Sequence, residues 1–439
     1  MQIDLLIKPG WIITVNEADQ IFTEHAVAVH AGRILNILPN AEAEQTYQAA
    51  QTVELPQQAL LPGFVNAHTH AAMSLLRGLA DDLPLMEWLQ EYIWPAERQW
   101  ADRQFVYDGS KLAIAEMIRS GTTCFNDMYF FAEETVKAVQ DTGIRASLGM
   151  ILIDFPTAYA QDAADYLQKG LSLYDSIKDN PLIQCCFAPH APYTVSDQPL
   201  QQMHKLAEYL NIPIHIHVHE TADEVRQAVQ STQERPLARL ERLGLLDQHF
   251  LAVHMTQLQA SEIELLAYKG VHVIHCPESN LKLASGFCPV AKLFAAGVNI
   301  ALGTDGNASN NDLDMLGEMR TAALLAKAVA QDASVISAHQ VLRMATLNGA
   351  KALGLAQEIG SIEIGKSADL ITINLGGLES KPMYDPISHL VYCTTRDQVT
   401  HVWVAGKILL EERKLSTLNE VELINSAQHW QSLIGETAG

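Results

Sequence analysis

Positive charge, paired cysteines and long apolar runs are what this chain lacks. Its 29 Lys and Arg face 51 Asp and Glu, a net charge of −22 over 439 residues. An acidic surface repels phosphate backbones and anionic lipid, which argues against nucleic-acid and membrane partners. The six cysteines (Cys124, Cys185, Cys186, Cys276, Cys288 and Cys393) form no Cys-x-x-Cys and sit mostly inside apolar stretches. They read as reduced core residues of a reducing compartment. No apolar run reaches the length of a membrane span, and the opening Met1-Gln-Ile-Asp4 has no basic start of the signal-peptide kind. A cytoplasmic location is expected. No Gly-x-Gly-x-x-Gly or phosphate loop follows the early strands, and Pro-Cys-x-x-Cys is absent.

What is present describes a folded protein with one large and one smaller domain. Apolar residues make up 48% of the chain and no low-complexity tract interrupts them. Both ends are β-rich. Trp11 to Val15, Ala26 to His30 and Arg33 to Leu38 alternate like strands, with a helix over Ala41 to Ala50. Ala368 to Asn374 and a hairpin over Val402 to Leu409 repeat the style near the end. Residues 1–59 and 361–439 are therefore expected to form one small β domain, the latter with a C-terminal helix.

Residues 60–360 alternate short apolar strands with amphipathic helices. Eight strands are expected: Leu60 to Asn66, Thr122 to Asp127, Arg145 to Leu152, Ile183 to Ala188, Pro213 to His219, Phe250 to His254, Val271 to His275 and Val298 to Gly303. Helices fall between them, including Asp108 to Ser120, capped by Asp108, and Asp197 to Leu210. Eight such units predict an α/β fold, a closed parallel (β/α)8 TIM-type barrel, whose site lies at the carboxyl ends of its strands. An open doubly wound sheet is the alternative, without the glycine signature that usually marks it.

Polar residues gather at those strand ends. The first strand leads into His68-Thr-His70, where an extended backbone points both imidazoles to one side. A bare His-x-His is as readily two loop histidines bonded to backbone or water. Here, however, Asp127, His190, His217-Val-His219-Glu220, His254, His275 and Asp305 end other strands. Charged groups massed at one barrel mouth are costly unless a ligand or partner satisfies them.

These residues resemble the amidohydrolase superfamily, in its deaminase and chlorohydrolase branch. The resemblance rests on Leu61-Pro-Gly-Phe-Val-Asn-Ala-His68-Thr-His70, His217-Val-His-Glu220, His254, His275-Cys-Pro-Glu-Ser-Asn280 and Gly303-Thr-Asp305-Gly-Asn-Ala-Ser309-Asn. The terminal Gly365-Lys-Ser-Ala-Asp369-Leu fits as well. It implies a β-sandwich built from both termini and a metal held by His68, His70, His217 and Asp305. One Zn2+ per subunit suits that donor set, with Fe2+ the alternative. The fourth strand ends in Ala188-Pro-His190 with no lysine, so a second, lysine-bridged metal is not expected. On the fifth strand His217 is preferred to His219 because the family pattern is His-x-x-Glu. His215 should pack deeper in the barrel, and His272 and His275 are read as structural.

The resemblance also implies roles. Asp305 would take a proton from the attacking water and pass it to the leaving amine. Glu220 would protonate a ring nitrogen, and His254 would hold the hydroxide or the developing oxygen. Glu97, in Trp94-Pro-Ala-Glu97-Arg-Gln-Trp100, and His190 match positions where adenosine-type deaminases hold the nucleoside. Glu97, His190, Glu220 and Asp305 would thus contact substrate. The chain most resembles 5′-methylthioadenosine/S-adenosylhomocysteine deaminases, with a nucleoside as its small-molecule partner and a homo-oligomeric assembly as the family habit. No arginine follows strand three, where relatives grip a carboxylate; Arg145 should point away. A wall of Met150, Phe155 and Tyr159 would suit a methylthio group, which favours 5′-methylthioadenosine over S-adenosylhomocysteine and adenosine. The rivals are a guanine- or cytosine-type base deaminase, an s-triazine (chloro)hydrolase and, from another class, an inactive scaffold. Asp127, Ser309 and Asn310 have no assigned role at this level.

Overall fold

A computed structural model describes residues 1–435. Eight parallel strands form one sheet in strict chain order: β1 Phe64–Thr69, β2 Thr122–Asp127, β3 Arg145–Leu152, β4 Ile183–Pro189, β5 Ile214–Val218, β6 Phe250–His254, β7 His272–His275 and β8 Asn299–Leu302. The strands are buried along nearly their whole length because helices cover the outside, as their uninterrupted apolar runs require. Just beyond β8 the chain returns to β1, where the Asp305 N–H donates to the His68 carbonyl at 3.0 Å. Gly303 makes that approach feasible, since a Cβ there would lie 2.8 Å from the His68 backbone nitrogen. The expected TIM-type barrel is what the chain forms.

Strands from both ends of the chain build a second sheet of nine strands. Its axis is the long strand Gln48–Pro62, which pairs in parallel with Gln2–Ile13 and antiparallel with Leu370–Asn374. The first barrel strand therefore starts later than Leu60. Leu60, Leu61 and Pro62 complete this terminal sheet, pairing with Thr372, Ile371 and Leu370. The switch falls at Gly63: its N–H donates to Asp369 O, whereas the next N–H, of Phe64, donates to Gly121 O inside the barrel. One apolar run thus serves two sheets, and apolarity alone does not mark the joint.

Helix boundaries moved too. The expected helix over Ala41 to Ala50 is Asn40–Thr46, and the strand Gln48–Pro62 takes the rest. The helix expected from Asp108 runs Arg103–Arg119, and Asp102 caps it by accepting from Phe105 N at 2.9 Å. Asp108 instead accepts from Trp430 Nε1. Asp197–Leu210 forms as expected, burying Leu200, Met203 and Ala207. The C-terminal helix, Glu420–Gly435, packs back on Arg103–Arg119. No helix among the described residues is long and apolar enough to cross a membrane.

Arg145 does point away from the barrel mouth, and its partner explains why. Its guanidinium grips Asp369 through Nε at 2.8 Å and Nη2 at 3.1 Å, and Nη2 also reaches Ser367 Oγ. Asp369 accepts further from the Ala405 N–H at 2.9 Å. This buried, fully bonded pair ties β3 to the terminal sheet. Asp369→Ala leaves the guanidinium buried and unpaired, which should cost about 3–5 kcal/mol. Calorimetry of the variant should show a thermal midpoint lowered by many degrees.

Candidate active site

Strand alternation aims the first side chains. On β5, Ile214, Ile216 and Val218 turn outward into the apolar layer under the helices, so His215 and His217 turn inward. His219 would follow them on a continuing strand. It does not, because its φ of +53° bends the backbone into the left-handed region. His219 Nε2 accepts instead from Leu237 N at 3.2 Å, away from the barrel axis. His68 lies inside β1 and His70 just beyond it, both facing the same point.

Backbone carbonyls fix the tautomers there. His70 Nδ1 lies 2.6 Å from Met128 O and His217 Nδ1 lies 2.6 Å from His190 O. A carbonyl only accepts, so both Nδ1 atoms carry hydrogen and both Nε2 atoms turn to the centre, where Asp305, against burial, raises His70 to about 9. His68 Nε2 is 3.2 Å from His217 Nε2 and 3.2 Å from Asp305 Oδ1, and His70 Nε2 is 3.2 Å from the same oxygen. Burial pushes His68 down to about 4 and His217 well below the ordinary imidazole range, which keeps both neutral. Lone pairs this close repel unless a positive charge sits among them. The candidate donors form two groups that share His68, one with His70 and Asp305 and the other with His217 and His254, and imidazole nitrogens with a carboxylate are donors that zinc takes. His215 Nε2 sits behind, 2.9 Å from His68 Nδ1, which leaves it the deeper, orienting position.

The remaining predicted residues surround that centre. His254 Nδ1 is 2.8 Å from Asn280 Oδ1, and its Nε2 is 3.8 Å from Glu220 Oε2. Glu220 is buried, and burial raises its carboxyl above the ordinary range. Asp305 Oδ2 accepts from Ser279 Oγ at 2.7 Å and Ser309 Oγ at 3.0 Å. A cavity of about 680 Å3 opens over these groups and is lined by His70, Glu97, His190, His217, Glu220, His254 and Asp305. His190 packs edge-on against His217 and Tyr193. Glu97 is half-buried in the wall, and burial raises its carboxyl to about 7 against the pull of Tyr129 and His70. His275 is buried under the centre and His272 bonds Gln248 O at the far end of β7, so neither lines the cavity.

Residues matching the amidohydrolase family span 59–409 of this chain. The chain belongs to that family. Two curated relatives cover nearly its full length. A 5-methylthioadenosine/S-adenosylhomocysteine deaminase of Teredinibacter turnerae is 48% identical over 99% of this chain and 98% of its own. Another of that description, from Saccharophagus degradans, is 49% identical over 98% of this chain and 96% of its own. Among solved structures, an adenosine deaminase from Xanthomonas campestris with bound zinc superposes with a TM-score of 0.98 at 51% identity, covering 99% of both chains. An atrazine chlorohydrolase from Arthrobacter aurescens shares the fold, with a TM-score of 0.89 at 19% identity over 97% of this chain and 99% of its own.

Several groups of this amidohydrolase site escaped sequence reasoning. Asn280 and Ser279 lay inside a quoted motif but carried no role until their contacts with His254 and Asp305 were visible. Glu224 accepts from both His219 N at 3.1 Å and Glu220 N at 2.7 Å, bracing the turn that presents Glu220. Thr221-x-x-Glu224 is a legible helix-start pattern, so that signal was available. Asp127 braces the His-Thr-His turn by accepting from Thr69 Oγ1 and Ala71 N. Asn310 bonds Thr304 O and Glu318, holding the loop that carries Asp305.

The apolar wall needs correction. Met150 faces outward against Gly170, and Tyr159 packs on Phe131 and Tyr166. Ile151, Ile153 and Phe155 line the cavity in their place, because alternate residues on and after β3 face inward. An arginine is also present after all: exposed Arg98, next to Glu97, is part of the cavity wall. It reaches the site from a segment well before strand three in sequence.

His217 and His219 are separable by experiment. His217→Ala should abolish tight zinc retention when the protein is dialysed and its metal counted by mass spectrometry. His219→Ala should retain zinc at the wild-type ratio. Zinc loss in His219→Ala with retention in His217→Ala would reverse the assignment.

Proposed function

We propose that the protein is a zinc-dependent deaminase of adenine nucleosides, acting on 5′-methylthioadenosine first and on S-adenosylhomocysteine and adenosine as further substrates. The observation that carries it is the placement of Glu97 and His190 on the same cavity as the His/Asp cluster. A carboxylate in the wall of that cavity suits ribose hydroxyls, which a free base or triazine lacks. The apolar Ile151, Ile153 and Phe155 suit a methylthio group, and Arg98 offers a guanidinium to a longer, carboxylate-bearing 5′ group. Full-length relatives described as 5-methylthioadenosine/S-adenosylhomocysteine deaminases support the same reading.

His68, His70, His217 and Asp305 would hold a single ion. Bound zinc supplies Lewis acidity that makes water a nucleophile near neutral pH. Water adds to the ring carbon that bears the amino group, and ammonia leaves. Glu220, whose carboxyl burial holds above the ordinary range, gives a proton to the adjacent ring nitrogen and makes that carbon electrophilic. Asp305, its other oxygen held by Ser279 and Ser309, takes one proton of the attacking water and gives it to the departing amine, and the second, released as the new C–O bond becomes a carbonyl, restores Glu220. His254, with its Nδ1–H engaged by Asn280, turns Nε2 toward the water and orients it.

Ultraviolet absorbance of the zinc-loaded protein with the three nucleosides in parallel tests the proposal, since adenine and hypoxanthine absorb differently. Turnover of 5′-methylthioadenosine with stoichiometric ammonia is expected; turnover of none, with zinc bound, would move the activity to bases or triazines. Glu220→Gln should slow turnover about 100- to 10,000-fold with zinc retained. Glu97→Gln should raise KM for nucleosides about 10- to 100-fold, the worth of charged hydrogen bonds. The sign of the pH effect follows from the raised pKa. Below about pH 7 the Glu97 carboxyl gains a proton and loses acceptor capacity, so wild-type KM should rise as pH falls through 7. That limb should vanish in Glu97→Gln.

A further inference from the structure

The cavity wall that carries Glu97 is built from pieces too short to hold themselves. It comprises one helical turn at Leu85–Glu87, a π-helical stretch at Trp88–Ile93 and the short helix Trp94–Trp100. Isolated helices of these lengths are not stable in water, so tertiary packing must fix them. Their packing is a distinct apolar cluster, separate from the large core around the barrel, that joins Trp88, Leu89 and Ile93 to Phe105, Trp430 and Ile434. The last two belong to the C-terminal helix, more than 300 residues away in sequence.

Trp430 is the centre of this contact. It is 7% exposed. Its indole N–H donates to Asp108 Oδ2 at 3.0 Å, which fixes the ring on the helix Arg103–Arg119. The ring then meets Phe105 and Trp100 edge-on, with centroids 5.3 Å and 6.5 Å away. Trp100 ends the very helix on which Glu97 sits, one turn earlier. At its other end the C-terminal helix is moored by Glu420 to Arg119 at 2.7 Å. An aromatic wedge held at both its polar and apolar ends thus backs the wall opposite the cavity.

We propose that Trp430 is a positioning residue for the nucleoside: the C-terminal helix sets the placement of Glu97 by buttressing Trp88–Trp100 from behind. The proposal rests on the nucleoside reading of the cavity, while the buttress itself can be read without substrate. Trp430 touches neither substrate nor the metal-binding cluster. Its loss should therefore appear in binding and leave the chemistry and the metal in place.

Two measurements on the full-length, zinc-loaded chain decide it. In Trp430→Ala, hydrogen exchange should accelerate in peptides covering residues 85–106 and stay unchanged in the barrel strands. KM for 5′-methylthioadenosine should rise about 10- to 100-fold, as for a displaced positioning group, with kcat within about twofold and zinc content unchanged. Trp430→Phe, which keeps the wedge and loses only the bond to Asp108, should recover most of the KM. Ile434→Ala gives a milder disruption of the same cluster should Trp430→Ala fold poorly, and its KM should lie between the two. Unchanged exchange over residues 85–106 in both alanine variants would overturn the proposal, as would a fall in kcat or zinc content without a rise in KM. If wild-type protein deaminates no adenine nucleoside, the functional reading falls and the exchange result alone decides whether the helix buttresses this wall.

Discussion

Everything at this site depends on the crowding of lone pairs at the barrel mouth. His68 shares one cluster of side-chain donors with His70 and Asp305 and another with His217 and His254, and carbonyls behind His70 and His217 stop those imidazoles from turning away. Burial makes protonation of His68 and His217 costly. Against burial, Asp305 raises His70 to about 9, so positive charge belongs at this point, as a proton on His70 or as a bound cation in its place. The cost of assembling such a centre is spread over neighbours that have no chemistry of their own: His215 behind His68, Asp127 under the His-Thr-His turn, and Ser279 and Ser309 on Asp305.

Around this centre two kinds of support are visible. The barrel strands supply rigid positions, and the loops after them supply groups that must approach one another from different strands. Two of those loop residues, His219 and Asp305, have left-handed φ angles of +53° and +63°. Each turns the chain sharply just past a strand. At His219 the turn sends one imidazole outward and brings Glu220 inward; at Asp305 it brings a carboxylate under His68 and His70. Glu224 and Asn310 hold these bends by hydrogen bonds to adjacent backbone, so Glu220 and Asp305 take their places from groups outside the cavity lining.

The cavity wall that carries Glu97 is organised differently. It stands on short helical pieces outside the barrel and takes its order from a separate apolar cluster closed by the C-terminal helix. The His/Asp cluster therefore stands on the barrel core, and the wall that carries Glu97 on a separate peripheral cluster. Ile151, Ile153 and Phe155, with Glu97 and Arg98, line the cavity beyond the His/Asp cluster.

Much of the architecture was legible because it obeys short-range periodicity. Eight apolar strands in register with intervening helices specify a barrel, and period-two alternation specifies that His68 and His70, like His215 and His217, face inward together. The same rule misled at His219, where a single left-handed residue reversed the direction that alternation predicts. Apolar patterning could not show that Leu60 to Pro62 belong to another sheet, since both sheets bury that run equally. Nor could it place Arg98 at the cavity or Trp430 behind its wall, or remove Met150 and Tyr159 from the lining. Periodicity reports which way a side chain leaves its own backbone. Which distant segment waits there is decided by the closure of the barrel and the return of the C-terminal helix, and these are long-range contacts that no local pattern encodes.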